Sequence, residues 1–242
     1  MSNKVAAVIL GAGKGTRMKS DLPKVMMPVC GVSMIKRVIN TLEDLAPAEI
    51  VTVIAPDGDM VKKEVAPYKT CVQDKQLGTG HAVLCAKSLL NGFDGTVLVI
   101  FGDTPLITKE TYQKAANKVK EGYAVVVCGF RPADPARYGR LKMNGSELEK
   151  IVEFKDASDE EKAITLCNSG FMAFDGRKMF EILDAVSNEN AAGEYYLTDA
   201  VEIARRKGWK CSTIEASAEE VASANTREEL ALLESFVQKK AC

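Results

Sequence analysis

The apolar run from Val5 to Leu10 empties directly into Gly11-Ala12-Gly13-Lys14-Gly15-Thr16-Arg17-Met18, with Pro23-Lys24 shortly after. That order reads as a buried strand opening onto a phosphate cradle. Glycines let backbone N–H groups approach an anion closely, and Lys14, Arg17 and Lys24 supply positive charge to offset a polyphosphate. The loop is expected to bind a nucleotide.

Short β-branched runs alternate with helix-length amphipathic segments along the rest of the chain, the pattern of an α/β fold with a mostly parallel sheet and helices on both faces. Strands are expected near Val5–Leu10, Ile50–Ile54, Thr70–Val72, Thr96–Phe101, Ala124–Gly129 and Gly170–Phe174. Helices are expected over Ser33–Leu45, Asp59–Val65, Gly80–Leu90, Lys109–Glu121, Arg177–Val186, Leu197–Lys207 and Arg227–Gln238. Between Arg140 and Glu153 the order breaks: Leu141-Lys142-Met143, a turn at Asn144-Gly145 and the run Leu148 to Val152 predict an inserted β-hairpin. A chain of 242 residues fits one large α/β domain.

Composition excludes several classes. The 32 Lys+Arg balance 33 Asp+Glu, and the longest basic block is Arg205-Arg206-Lys207 on an expected helix, so no nucleic acid is expected as a partner. Seven cysteines are scattered singly without a C-x-x-C pair, which supports neither a disulfide framework nor a zinc site. Met1-Ser2-Asn3-Lys4 leads straight into the first strand, and no apolar stretch approaches the roughly 18 residues that span a bilayer. A cytoplasmic location without a membrane partner is the expectation.

Two commoner glycine-loop patterns fail on spacing. A dinucleotide fingerprint starting at Gly11 needs glycine where Thr16 stands, and a Walker A loop needs glycine there followed by Lys. Gly102-Asp103-Thr104-Pro105-Leu106 leaves the strand Val97–Phe101, and carboxylates at carboxyl ends of strands face the ligand crevice of open α/β sheets. Asp103 is thus a candidate Mg²⁺ ligand, with a turn-forming Asp before Pro as the alternative. Gln73 carries the amide donor and acceptor that a pyrimidine edge requires, and Gly78-Thr79 can bring backbone against a base. His81, the one histidine, stands at a helix start, where capping or packing explains it better than general-base chemistry.

The loop from Gly11 to Met18 with Ser20-Asp21-Leu22-Pro23-Lys24 has the G-x-G-x-G-T-R-M and P-K form of sugar-nucleotide pyrophosphorylases. Gln76–Ala82, Gly102–Ile107, Tyr138-Gly139-Arg140, Ile151–Ala157, Asn168-Ser169-Gly170 and Gly193–Asp199 follow in order. Together they resemble the uridyltransferase domain of the bacterial bifunctional enzymes that make UDP-N-acetylglucosamine. The resemblance implies a Rossmann-like nucleotide-diphosphosugar transferase fold over residues 1–242. It implies UTP and N-acetylglucosamine 1-phosphate as substrates, UDP-N-acetylglucosamine and pyrophosphate as products, and Mg²⁺ as cofactor. Leu10, Gly11, Ala12, Gly13, Lys24, Gln73, Gly78 and Thr79 would hold the uridine nucleotide. Phe101 and Gly102 would line the substrate site, with Gly139, Glu153 and Asn168 facing the amino sugar. Asp103 and Asn225 would hold Mg²⁺; from local sequence alone, Asn225 reads as the start signal of the helix at Arg227. Arg17 and Lys24 would be catalytic, Arg17 gripping the departing pyrophosphate and Lys24 stabilising the pentacoordinate phosphorus.

Three departures qualify the resemblance. Phe101 stands where the family usually has Tyr, Ser169 where it usually has Thr, and no hexapeptide repeats of the family's acetyltransferase β-helix follow Gln238. Without that trimer-forming domain the expectation is a monomer. Three function classes stay open: this uridyltransferase, a related nucleotidyltransferase using another sugar or polyol phosphate, and a catalytically silent nucleotide-sugar sensor.

Overall fold

The computed structural model of the chain describes residues 2–13, 18 and 20–241. At its centre β1 (Val5–Leu10) runs parallel to β4 (Glu49–Ile54) on one side and to β6 (Thr96–Phe101) on the other. Beyond β4 lies β5 (Lys69–Val72), also parallel. Beyond β6, the strand β10 (Cys167–Asp175) runs antiparallel to both β6 and β7 (Val125–Phe130), and β11 (Cys211–Glu215) closes that edge parallel to β7. The hairpin β8 (Arg140–Asn144) and β9 (Glu147–Val152) hangs from the start of β10 through the pair Cys167 and Arg140.

Strand side chains alternate between two cores, which is why the central strands carry unbroken apolar runs. Ala6, Val8 and Leu10 share one core with α3 (Thr79–Leu84), α7 (Gly176–Leu183) and α8 (Ala200–Arg206). Ala7 and Ile9 join the opposite core with α1 (Met34–Glu43), α2 (Asp59–Glu64) and α5 (Lys109–Lys120). A third cluster packs Leu233 of α9 (Arg227–Ala241) with Met18, Val29, Met34 and Leu106. That contact brings the far end of the chain back onto the first glycine loop. Helix starts follow local chemistry: Ser33 accepts from Lys36 N and Thr108 from Thr111 N.

The expected helix over Gly80–Leu90 is divided into α3 and α4 (Lys87–Leu90). At Cys85 the amide is shared between His81 and Ala82 carbonyls, and the next bonds span three residues, so the turn tightens. The expected helix from Leu197 begins as a 3-10 turn, Leu197–Asp199. Three features were not expected. The hairpin β2 (Pro28–Val29) and β3 (Val32–Ser33) turns on Cys30 and Gly31, both at positive φ. A one-turn helix α6 (Asp159–Lys162) buries no residue and rests on a Ser158–Glu161 capping box. The edge strand β11 has too few apolar residues to announce itself and is held by pairing to β7. Among the described residues no helix is long and apolar enough to cross a membrane, and no two cysteines are bonded.

Candidate active site

The carboxyl ends of β1 and β6 open side by side, because Gly102 N donates to Leu10 O at 3.0 Å. Above them lies a cleft of about 370 Å³ lined by Leu10, Ala12, Gly13, Lys24, Gln73, Gly78, Thr79, Phe101 and Asp103. Nine residues expected from sequence thus share one cavity. Gly11 lines an adjoining hollow of about 300 Å³ that shares Ala12 and Gly13 with it. Lys14 and Arg17 lie outside the described residues.

The wall around Gln73 is rigid for steric reasons. Gly78 holds φ +115°, and a Cβ there would stand 2.6 Å from the carbonyl oxygen of Tyr195, so only glycine fits. Gly80 N donates to Tyr195 O and Tyr195 N to Leu77 O, both at 2.8 Å, which clips the loop to the segment before α8. Gln73 is 5% exposed. Its Nε2 lies 3.1 Å from Gly78 O and 3.2 Å from His81 Nδ1. A carbonyl can only accept, so the amide NH₂ must face Gly78; His81 Nδ1 is then the acceptor of its second proton. The Gln73 carbonyl oxygen is left as the atom with which to read a ligand. His81 is therefore a positioning residue for Gln73, a role its place in the sequence did not announce.

Lys24 begins the 3-10 turn Lys24–Met26, directly after Pro23. Its Nζ forms an ion pair with Asp103 Oδ2 and donates to Asn225 Oδ1 at 2.7 Å. Both expected metal ligands thus converge on one cation. A carboxylate and an amide oxygen are hard donors, and Mg²⁺ in phosphate sites takes one or two protein oxygens and fills its octahedron with phosphate and water. The pair fits that demand. Among the described residues no cluster of three His, Cys, Asp or Glu offers an all-protein cage. The helix-start reading of Asn225 is corrected: Thr226 Oγ1 accepts from Glu229 N at the head of α9, while the Asn225 side chain reaches Lys24.

The third group lies where the hairpin meets β10. Asn168 N donates to Gly139 O at 2.8 Å, and a Cβ on Gly139 would lie 3.6 Å from Glu153 Oε1. Asn168 Oδ1 accepts from Gly170 N, and the position of a Cβ on Gly170 is filled by the Phe101 ring, so this group abuts the nucleotide cleft. Phe101 thus serves the site by packing. Ser169 donates to Cys128 O at 2.7 Å; the hydroxyl it shares with Thr does this work. Glu153 accepts from Thr198 Oγ1 at 3.0 Å, and burial holds its carboxyl above the usual carboxylate range. Burial, with Glu202 and Glu153 nearby, pushes Asp199 up to about 6.

Sequence reasoning assigned no role to Gln76, Thr198, Asp199 or Glu194. Gln76 Nε2 donates to Ala12 O at 2.7 Å and latches the first loop, and Glu194 lines the cleft. All four stand inside stretches that carried the family resemblance, yet residue type alone does not disclose a contact 64 positions away.

A nucleotide-sized cleft at the carboxyl edge of a mostly parallel sheet, with a cation between two oxygens at its foot, is the frame of a nucleotidyl-transfer site. The family model of the MobA-like NTP transferase domain matches residues 7–194. The chain belongs to this family. It is a nucleotidyltransferase. Over 237 residues it is 54% identical to the Bifunctional protein GlmU of Rhodospirillum rubrum, covering 97% of this chain and 53% of that protein. Over 241 residues it is 47% identical to the Bifunctional protein GlmU of Paramagnetospirillum magneticum, covering 99% and 54%. The chain spans about half the length of these curated relatives. A crystal structure from Bacillus anthracis, described as a glucose-1-phosphate thymidylyltransferase, has TM-score 0.76 at 20% identity, covering 96% of this chain and 94% of that one. At that identity the likeness establishes the fold, a mixed, mostly parallel sheet with helices on both faces.

Proposed function

We propose that the chain transfers the uridylyl group of UTP to N-acetylglucosamine 1-phosphate, forming UDP-N-acetylglucosamine and releasing pyrophosphate. The observation that carries this reading is the segment Tyr195–Thr198, which joins the two halves of the site. Leu197 N donates to Thr79 Oγ1 at 3.1 Å in the nucleotide wall, and Thr198 Oγ1 donates to Glu153 at the other end. A sugar joined to a nucleotide through a diphosphate has these two ends.

The chemistry needs no general base. A sugar phosphate has a second pKa of about 6 and is largely dianionic at pH 7, so its oxygen can attack the α-phosphorus in line. What the protein contributes is alignment and charge. The Gln73 carbonyl oxygen accepts from a base N–H, beside backbone at Gly78 and Thr79. Lys24 neutralises charge at the phosphates, and Arg17, outside the described residues, is assigned the leaving pyrophosphate. Glu153, ionised, accepts from sugar hydroxyls alongside Asn168. Mg²⁺ on Asp103 and Asn225 supplies charge neutralisation at the nucleotide phosphates when bound. With this reading go a cytoplasmic protein and neither nucleic acid nor membrane as partner.

The test is a product assay with UTP, CTP and dTTP against N-acetylglucosamine 1-phosphate, glucose 1-phosphate and a polyol phosphate. UDP-N-acetylglucosamine should dominate, and excess chelator should stop turnover. Product with another acceptor but none with N-acetylglucosamine 1-phosphate overturns the sugar assignment. Tight UDP-sugar binding without any turnover would make the chain a sensor.

A further inference from the structure

Lys24 lies between Asp103 and Asn225. Its ammonium is bonded to both oxygens, and the side chains of Lys24 and Asp103 are each only 14% exposed, so water screens the group weakly. A divalent ion drawing on the same two oxygens would stand on the ammonium, and like charges at that distance repel strongly in a poorly solvated setting. Lys24 must therefore swing away before such an ion can settle. The cleft it lines, beside Ala12 and Gly13, gives it somewhere to go once an anion is there.

We infer that Lys24 is a resident counter-cation that keeps the Asp103–Asn225 pair closed to divalent metal until nucleotide phosphates draw its ammonium off. The inference rests on the proposed reading of that pair as the metal site. It gives one side chain two successive duties: neutralising Asp103 in the free protein, then neutralising phosphate when the metal takes Asp103 over. Metal then enters with the nucleotide or after it.

The test uses Mn²⁺ alone, without nucleotide, and follows the free ion by its paramagnetic resonance signal. Wild type should bind weakly. Lys24→Met should bind at least about tenfold more tightly, Lys24→Gln likewise, and Lys24→Arg, which keeps the charge, should remain as weak as wild type. If both neutral variants bind no better than wild type while Asp103→Asn removes what binding there is, the displacement is overturned and the metal site stands. If tight binding in Lys24→Met survives Asp103→Asn, or if no variant binds Mn²⁺ at all, the metal reading falls and this inference with it. Thermal unfolding of each variant checks that its fold is retained.

Discussion

At the end of the cleft proposed for the nucleotide, Gly80 and Gly102 donate backbone hydrogen bonds to Tyr195 and Leu10, Tyr195 donates to Leu77, and main chain packed against Gly78 sets much of the shape. At the end proposed for the sugar, Asn168 to Gly170 ride on a register shift in β10 opposite β7, and side chains do much of the holding: Asn168 on Gly170, Ser169 on Cys128, Thr198 on Glu153. Bulges are common beside active sites, where they re-aim side chains. The carboxylates there are also strained by burial, Glu153 and Asp199 both being raised, whereas the nucleotide end pairs its carboxylate with Lys24. A main-chain wall selects by shape and tolerates little change. A side-chain wall can be respecified one residue at a time.

The largest effect should come from Asp103. Asp103→Ala is expected to lower kcat by roughly 10³-fold, the scale of losing a preorganised charge-stabilising group, and Asn225→Ala by less. The double variant should be scarcely worse than Asp103→Ala, since residues serving one ion are non-additive. Losses that add, measured in a full cycle of kcat/KM values, would split the nucleotide end into independent parts.

Next in size is Gly78→Ala. Positive φ and the clash with Tyr195 should cost about 1–3 kcal/mol in a denaturation midpoint and raise KM for UTP. Gly13→Ala, where nothing among the described residues stands within 4 Å of the added carbon, should change stability by no more than about 0.5 kcal/mol. Equal stability losses in the two variants would break the claim that the wall at Tyr195 is what demands glycine.

Glu153→Gln sharpens the contrast from the other side. KM for the sugar phosphate should rise roughly tenfold through loss of an ionised acceptor, with KM for UTP unchanged. Stability should hold, because the charge removed is one that burial disfavours. A parallel rise in both KM values would mean that the two ends are not separable.

The smallest effect concerns pH. Asp199, raised to about 6 by burial and then by Glu202 and Glu153, binds its proton more firmly folded than unfolded. Its contribution therefore makes the fold more stable as pH falls through about 6 toward the ordinary aspartate range, and less stable as pH rises. Asp199→Asn should flatten that part of the stability profile in thermal melts from pH 7 to pH 5. An unchanged slope would show that its surroundings relax on ionisation. Glu220 runs the other way: although burial disfavours its charge, hydrogen bonds from Thr111, Thr108 and Ser217 hold it below the usual range, so its contribution is lost as pH drops through its folded value.

Much of the frame was legible because its causes are local. Val5–Leu10 and Thr96–Phe101 are strands over the residues expected, since runs buried on both faces stand out against polar flanks. The Asn144-Gly145 pair made the β8–β9 hairpin readable through its turn chemistry, although the turn falls one residue later, on Gly145 and Ser146, with Asn144 paired to Glu147 at the end of β8. β11 and the Cys30–Gly31 hairpin were not readable, because their stability comes from a neighbouring strand or from α9 rather than from their own pattern. In the site, glycines and carboxylates at strand ends could be named from sequence. The hold of His81 on Gln73 and of Gln76 on Ala12 could not, since each depends on how two separate loops dock.

By itself the sequence determined where apolar runs bury, where glycines leave backbone open to close approach, and which residue types could carry nucleotidyl transfer. These are consequences of bond geometry and solvation within a few residues. Only the tertiary structure decided that Lys24 and Asn225, 201 positions apart, share a hydrogen bond with Asp103 as the third partner. The packing of Leu233 against Met18, Val29 and Met34 helps bring that about by seating α9 beside the first loop. Such a meeting is a property of the closed chain: burial of one helix face stabilises it, and no local pattern at either residue records it.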